Sequence, residues 1–197
     1  MIILAHDGSI YGNWVANYAI RFAATEEDRK LLVIHVEDGK TSSAVVESRM
    51  TGLEKSCSER DIDCHIQLLP VDGSVYRTLR HAIPPDSDTL LLCGTRVKPQ
   101  RNRFLAGSVA ENLLRMHHCP VLAIRAVQPG LLGSPHDILY PLSGKHTTDT
   151  GVLPFLRRLA PQVGTLHLLR ALIVNQLLHP YLTRTQEQLT LDIGRGT

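Results

Sequence analysis

Short apolar runs, regularly spaced and separated by helical patterns, constrain this chain more than any other feature. Ile2 to Ala5, Leu31 to Val36 (LLVIHV), Leu90 to Cys93 and Pro120 to Arg125 (PVLAIR) are each too short for a helix core. Cys64 to Leu69 alternates well enough for one more strand. Uninterrupted apolar strands are buried on both faces, which is the habit of parallel sheets covered by helices above and below. The segments between them have the right period. Trp14, Val15, Tyr18, Ala19 and Phe22 recur at helical spacing within Gly12 to Thr25. Val45, Val46, Met50, Leu53 and Cys57 mark one helix face, with Glu47, Arg49, Glu54 and Lys55 turned to water. Val75, Leu79 and Ile83 follow the turn Asp72-Gly73-Ser74 and stop at Pro84-Pro85, and Ser108 to His117 buries Val109, Leu113 and Leu114. Strand and helix alternate throughout, so residues 1–125 are expected to form a five-stranded α/β unit with helices on both faces.

Residues 126–136 (AVQPGLLGSPH) are rich in glycine and proline and read as a linker. After it the pattern restarts. Ile138 to Gly144 echoes Ile2 to Gly8; Val152, Leu153, Phe155, Leu156 and Leu159 make a helix face; Leu166 to Val174 reads as a strand. One further helical pattern (Leu177, Leu178, Tyr181, Leu182, Leu189) closes the sequence, without counterparts of the fourth and fifth strands. Residues 137–197 are therefore expected to be a partial second α/β repeat. Half of such a unit exposes apolar sheet, so it should pack on the first domain or on another subunit.

Composition narrows the function classes. The formal charge is +2 over 197 residues, with 20% charged residues, so no global polycation points to nucleic acid. No run of eighteen apolar residues exists. The four cysteines (Cys57, Cys64, Cys93, Cys119) form no CxxC pair, and reduced thiols are the default. The expectation is a soluble cytoplasmic protein.

The most suggestive stretch is CGTRVKPQRNRFLAGSVAEN, Cys93 to Asn112, a long loop between a strand and a helix with glycines near both ends. Gly94, then Val97, then nine residues and Gly107-Ser108 resemble the Gly-x2-Gly-x9-Gly-Ser/Thr spacing of the universal stress protein family. ENLLRMHHCPVLAIR is similar to that family's closing helix and strand, and IILAHDGS resembles its first strand and acidic turn. The resemblance covers residues 1–125, and residues 137–174 look like the first third of a second copy. It implies a sheet of strand order 3-2-1-4-5, with a nucleotide where strands 1 and 4 diverge, in agreement with the rule for ligand sites in open α/β sheets. It also implies ATP or AMP as ligand, with Mg²⁺. The acidic turn (Asp7) would meet the ribose and metal region, backbone at Val36 the adenine, and Gly94, Arg96, Gly107, Ser108 and Val109 the phosphates. Pairing of subunits through the fifth strand, Val121 to Ile124, would give a homodimer.

Each of these residues has a second reading. Ser108 and Glu111 fit a capping box, although a capped helix start can still offer neighbouring N–H groups to an anion. Asp7 with Gly8 and Ser9 fits an Asx turn. Val97 replaces the second family glycine with a β-branched residue that resists positive φ, and Pro99 removes an N–H. Arg96, Lys98, Arg101 and Arg103 can neutralise phosphate by side chain instead. His117-His118-Cys119 lacks further ligands at zinc spacing, and His6 and His35 stand at strand ends beside the crevice. No nucleophile-plus-base arrangement is evident, so neither a catalytic nor a metal site is expected and any ATP hydrolysis would be slow. Two functions follow: a nucleotide-responsive regulatory module of stress response, or a nucleotide-free dimerisation or docking module of the same fold. An adenylyl-transferring enzyme ranks last, for want of a signature for pyrophosphate chemistry.

Overall fold

The computed structural model describes residues 1–86, 88–95, 109–116, 118–126, 135–142 and 152–170. Arg96, Val97, Lys98, Pro99, Arg101, Arg103, Gly107, Ser108, His117 and the helical pattern after residue 175 lie outside them. Their contacts divide the chain into two units, Met1–Ser134 with Pro154–Pro161, and Pro135–Leu153 with Gln162–Thr197.

The first unit contains strands β1 (Ile2–Ala5), β2 (Lys30–Glu37), β3 (Asp63–Pro70), β4 (Leu90–Gly94) and β5 (Val121–Ile124). They form one sheet of order β3-β2-β1-β4-β5, and every neighbouring pair is parallel. The connecting helices are α1 (Ile10–Thr25), α2 (Ser43–Ser58), α3 (Val75–Ala82) and α4 (Val109–Leu114). The expected strand order and parallel architecture are what the chain adopts.

Alternation along each strand divides the apolar runs between two cores. Ile2, Leu4, Leu31, Val33, Leu90 and Leu92 point to one face, where they meet Val15, Ala19 and Phe22 of α1 and Val46, Met50, Leu53 and Cys57 of α2. Ile3, Ile34, Val36, Leu91 and Cys93 point to the other, against Leu79 and Ile83 at α3 and Ala110 and Leu113 of α4. A run such as LLVIHV is uninterrupted because both of its faces are inside.

Helix boundaries follow local chemistry. Ser9 caps α1 by accepting the Gly12 N–H at 3.2 Å, and Ser74 caps α3 by accepting the Arg77 N–H. Three expected core residues are on the outside instead: Val45 (40% exposed), Val109 (37%) and Leu114 (42%). The buried stripe of α2 steps through Val46, Met50, Leu53 and Cys57, and Val45 sits one residue, about 100°, off it. Leu114 is likewise one step beyond the Ala110–Leu113 stripe. Arg49, expected to face water, instead reaches back to the turn after β1.

A fifth helix, α5 (Leu153–Leu159), runs on into a short 3-10 turn (Ala160–Gln162). By sequence pattern this helix belongs to the second repeat, yet Pro154–Pro161 groups with the first unit. Phe155 and Leu159 pack against the α1–α2 core, and Arg158 Nε donates to Glu26 Oε1 at 2.6 Å. The second unit contains β6 (Asp137–Leu142) and β7 (Thr165–Arg170), a parallel pair in the register Ile138↔Leu166. No helix among the described residues is long and apolar enough to cross a membrane.

Candidate functional site

The site begins where β1 ends. Ala5 is the last residue of that strand to pair, with Ile34 of β2 on one side and Cys93 of β4 on the other. The connections from β1 and β4 leave in opposite directions across the sheet, which opens a crevice above the β1 and β4 carboxyl ends. At that edge Asp7 follows β1, Val36 lies near the end of β2, Gly94 ends β4 and Thr95 comes directly after it.

The turn after β1 is held from inside by a histidine. His6 is 3% exposed, and its N–H extends the ladder by donating to the Ile34 carbonyl at 2.9 Å. Its Nδ1 accepts the Gly8 N–H at 3.0 Å, which places the ring proton on Nε2, facing Asn13 Oδ1 at 3.0 Å. Both nitrogens are thereby used by the neutral ring. Burial, the largest influence, lowers the pKa of His6 below the usual histidine value, and the Asn13 hydrogen bond opposes it only in part. A second histidine stands behind the first: His35 Nδ1–H donates to the His6 carbonyl at 2.8 Å.

Gly8 and Gly12 make room for this arrangement. Gly8 has φ +71°, and a Cβ there would also lie 2.9 Å from His35 Cε1. A Cβ on Gly12 would lie 2.8 Å from Asp7 Oδ1 and from His6 Nε2. The α1 backbone therefore comes as close to the turn as a glycine permits. Arg49, on α2, donates to the Gly8 carbonyl and ties the turn to the neighbouring helix.

Asp7 is exposed at the mouth of the crevice. Its Oδ1 accepts the Ser9 N–H at 3.0 Å and the Ser9 hydroxyl at 2.6 Å. The Asx-turn reading is thus realised, and it fixes the direction of the carboxylate at the crevice. Val36 has the same parity in β2 as Ile34, whose carbonyl serves β1, so its backbone groups lie on the side facing the crevice beyond β1. Gly94 is exposed, and Thr95 N–H donates to the Ile124 carbonyl at 2.9 Å. Val109 opens α4 and is exposed as well. Asp7, Val36 and Gly94 thus share the carboxyl edge of the sheet, and Arg96, Gly107 and Ser108 lie outside the described residues. Among the described residues no group of three histidine, cysteine, aspartate or glutamate side chains could hold a metal. A magnesium ion at Asp7 would have one carboxylate and would take its other oxygens from a bound phosphate or water.

His6, Asn13 and Arg49 carry the turn's geometry, yet sequence patterning assigns them no definite part in it. A glycine in the first turn of a helix, six residues after a buried histidine, is the trace they leave. No family model matches the chain. Its sequence is 28% identical over 141 residues to proteins named for the universal stress protein family in Staphylococcus aureus strains USA300 and NCTC 8325. The match takes in 63% of this chain and 82% of each relative. The chain is universal stress protein-like. A solved universal stress family protein of Burkholderia pseudomallei is 26% identical, with TM-score 0.43, over 64% of this chain and 96% of that one. A solved universal stress protein in complex with cAMP is 16% identical, with TM-score 0.48, over 63% and 94%. In this universal stress protein-like chain, the turn that resembles the family's acidic turn is therefore built around His6, a strut linking Gly8 to Asn13.

Proposed function

We propose that this chain is a nucleotide-responsive regulatory module of stress response that holds ATP or AMP above the carboxyl ends of β1 and β4. One observation carries this reading. The exposed Asp7 carboxylate is oriented by Ser9 at the crevice where β1 and β4 end, with Val36 backbone on one side and Gly94 on the other. Asp7 would meet ribose hydroxyls or Mg²⁺, Val36 backbone the adenine edge, and Gly94, Arg96, Gly107, Ser108 and Val109 the phosphates. The protein would act by binding rather than turnover, with any hydrolysis slow, because no group is assigned to orient a water. Titration calorimetry with ATP and Mg²⁺ tests the reading: saturable heat that is lost in Asp7→Ala supports it, and no heat at millimolar ligand ends it.

A second reading rests on β5, which is an outer strand of the sheet with all four residues half-buried. An outer parallel strand can pair with a second copy, so Val121–Ile124 would form the seam of a homodimer with or without nucleotide. Light scattering during size exclusion tests it: a strict monomer at high concentration excludes the seam.

A further inference from the structure

Outside the crevice, two thiols meet at the far end of α2. The helix ends in a Schellman arrangement: Ile62 N–H donates to the Cys57 carbonyl at 3.0 Å and Asp61 N–H to the Ser58 carbonyl at 3.2 Å, with Asp61 at φ +52°. The hydrophobic contact typical of such an ending joins Cys57 and Ile62, which are 0% and 5% exposed in the same core. The chain enters β3 directly afterwards. Cys64, two residues beyond Ile62, returns to the face that Ile62 occupies. It pairs with Leu31 and packs against the same core. The Cys57 and Cys64 thiols thus share one core and are near enough for each to bias the other's proton. Cys57 is wholly enclosed, whereas Cys64 is only half-buried and can be reached from outside.

We infer that Cys57 and Cys64 are an oxidisable dithiol: a peroxide takes two electrons from the pair and leaves an intramolecular disulfide between α2 and β3. The atoms balance in two steps. The Cys64 thiolate attacks a peroxide oxygen, the O–O bond breaks, and Cys64 sulfenic acid forms as hydroxide leaves and takes up the proton lost by the thiol. Cys57 sulfur then attacks the Cys64 sulfur, the S–O bond breaks, and water leaves with the second thiol proton. The closeness of the pair assists the first loss of a proton, since the remaining S–H stabilises the thiolate beside it. This interaction first, and Arg60 in addition against burial, lets the pair lose its first proton below the ordinary cysteine range. The same interaction and then burial hold the second proton of the pair far above that range, and access decides that the peroxide meets the first thiolate at Cys64. Cys93 and Cys119 are both buried and lie in the other core, so neither competes for the Cys64 sulfenic acid.

The test uses the full-length protein treated with a small excess of hydrogen peroxide at neutral pH, quenched, and mapped by peptide mass spectrometry without reduction. The expected product is an intramolecular Cys57–Cys64 linked peptide, lighter by the two thiol hydrogens, restored by dithiothreitol. Free thiols counted after denaturation should fall from the four cysteines present by the two of this pair. In Cys57→Ser the second step is blocked, and a sulfenic-acid trap such as dimedone should label Cys64. Four results each overturn the inference: no change, over-oxidation of Cys64 alone, a Cys64–Cys64 link between chains, or a disulfide with Cys93 or Cys119. Because the mapping is done on the unaltered chain, a poorly folded variant leaves the test intact.

Discussion

Replacing Gly12 by alanine isolates the packing at the turn after β1. In an open helix position this substitution stabilises by up to about 1 kcal/mol, because alanine loses less backbone entropy than glycine. Gly52 in α2 is such a position, where a Cβ would meet nothing within 4 Å. At Gly12 the new Cβ would lie 2.8 Å from Asp7 Oδ1, His6 Cε1 and His6 Nε2, closer than carbon can approach either side chain. The His6 ring cannot simply swing away, since it is 3% exposed and bonded to Gly8 N–H and Asn13 Oδ1. Moving it leaves buried polar groups unmatched, at about 1–3 kcal/mol. Gly12→Ala should therefore destabilise by up to about 2 kcal/mol after the helix gain is subtracted. Gly52→Ala should stabilise by about 1 kcal/mol. With a urea dependence of about 2 kcal/mol per molar, the two midpoints should separate by roughly 1 M. Far-UV circular dichroism is the suitable probe, because the single tryptophan, Trp14, stands beside the substitution. Equal upward shifts in both variants would refute the close packing of α1 on His6.

Three other outcomes are expected. Since burial holds His6 below its unfolded pKa of about 6.5, the unfolded chain binds more protons in that window, so stability should fall as pH drops below about 6.5; unfolding midpoints at neutral and mildly acidic pH should converge in His6→Gln if this residue is responsible. The Cys93 thiol, pushed up to about 12 by burial, should resist thiol reagents at pH 8 in the native protein and react once it is denatured. Arg158→Met removes a charge-assisted pair with Glu26 worth about 1.5–3 kcal/mol; hydrogen exchange in residues 153–159 should accelerate while exchange in β1 and β4 stays slow.

The sheet is legible in the sequence because its signal is repeated. IILA has no polar position and LLVIHV only the buried His35, and this leaves few architectures besides a parallel sheet with two covered faces. The edges of helices are less legible. Val45 and Leu114 are apolar and next to a buried stripe, and periodicity alone cannot separate a residue inside the stripe from one about 100° away. At the site, Asp7 and Gly94 are visible as strand-end residues in a turn-forming context. His6 is visible only as a polar residue, because its bonds to Gly8 and Asn13 depend on strand, turn and helix meeting in space. Arg49 misleads for a related reason: a long cationic side chain in a helix usually belongs to water, and only tertiary contact with the Gly8 carbonyl reverses that. The Cys57–Cys64 contact lacks a CxxC motif because its spacing is set by a helix ending and not by a single turn.

Helix α5 has a consequence for assembly. The crossovers from β1 through β3 supply the first core with α1 and α2, and α5 brings Phe155 and Leu159 to the same apolar surface from within the chain. Tethering places such a helix at an effective local concentration of about millimolar, whatever the protein concentration. Any outside protein seeking that surface must outcompete a resident that is always present. Helix α5 thus functions as a permanent tenant, and a partner of the first unit has to dislodge it or settle elsewhere.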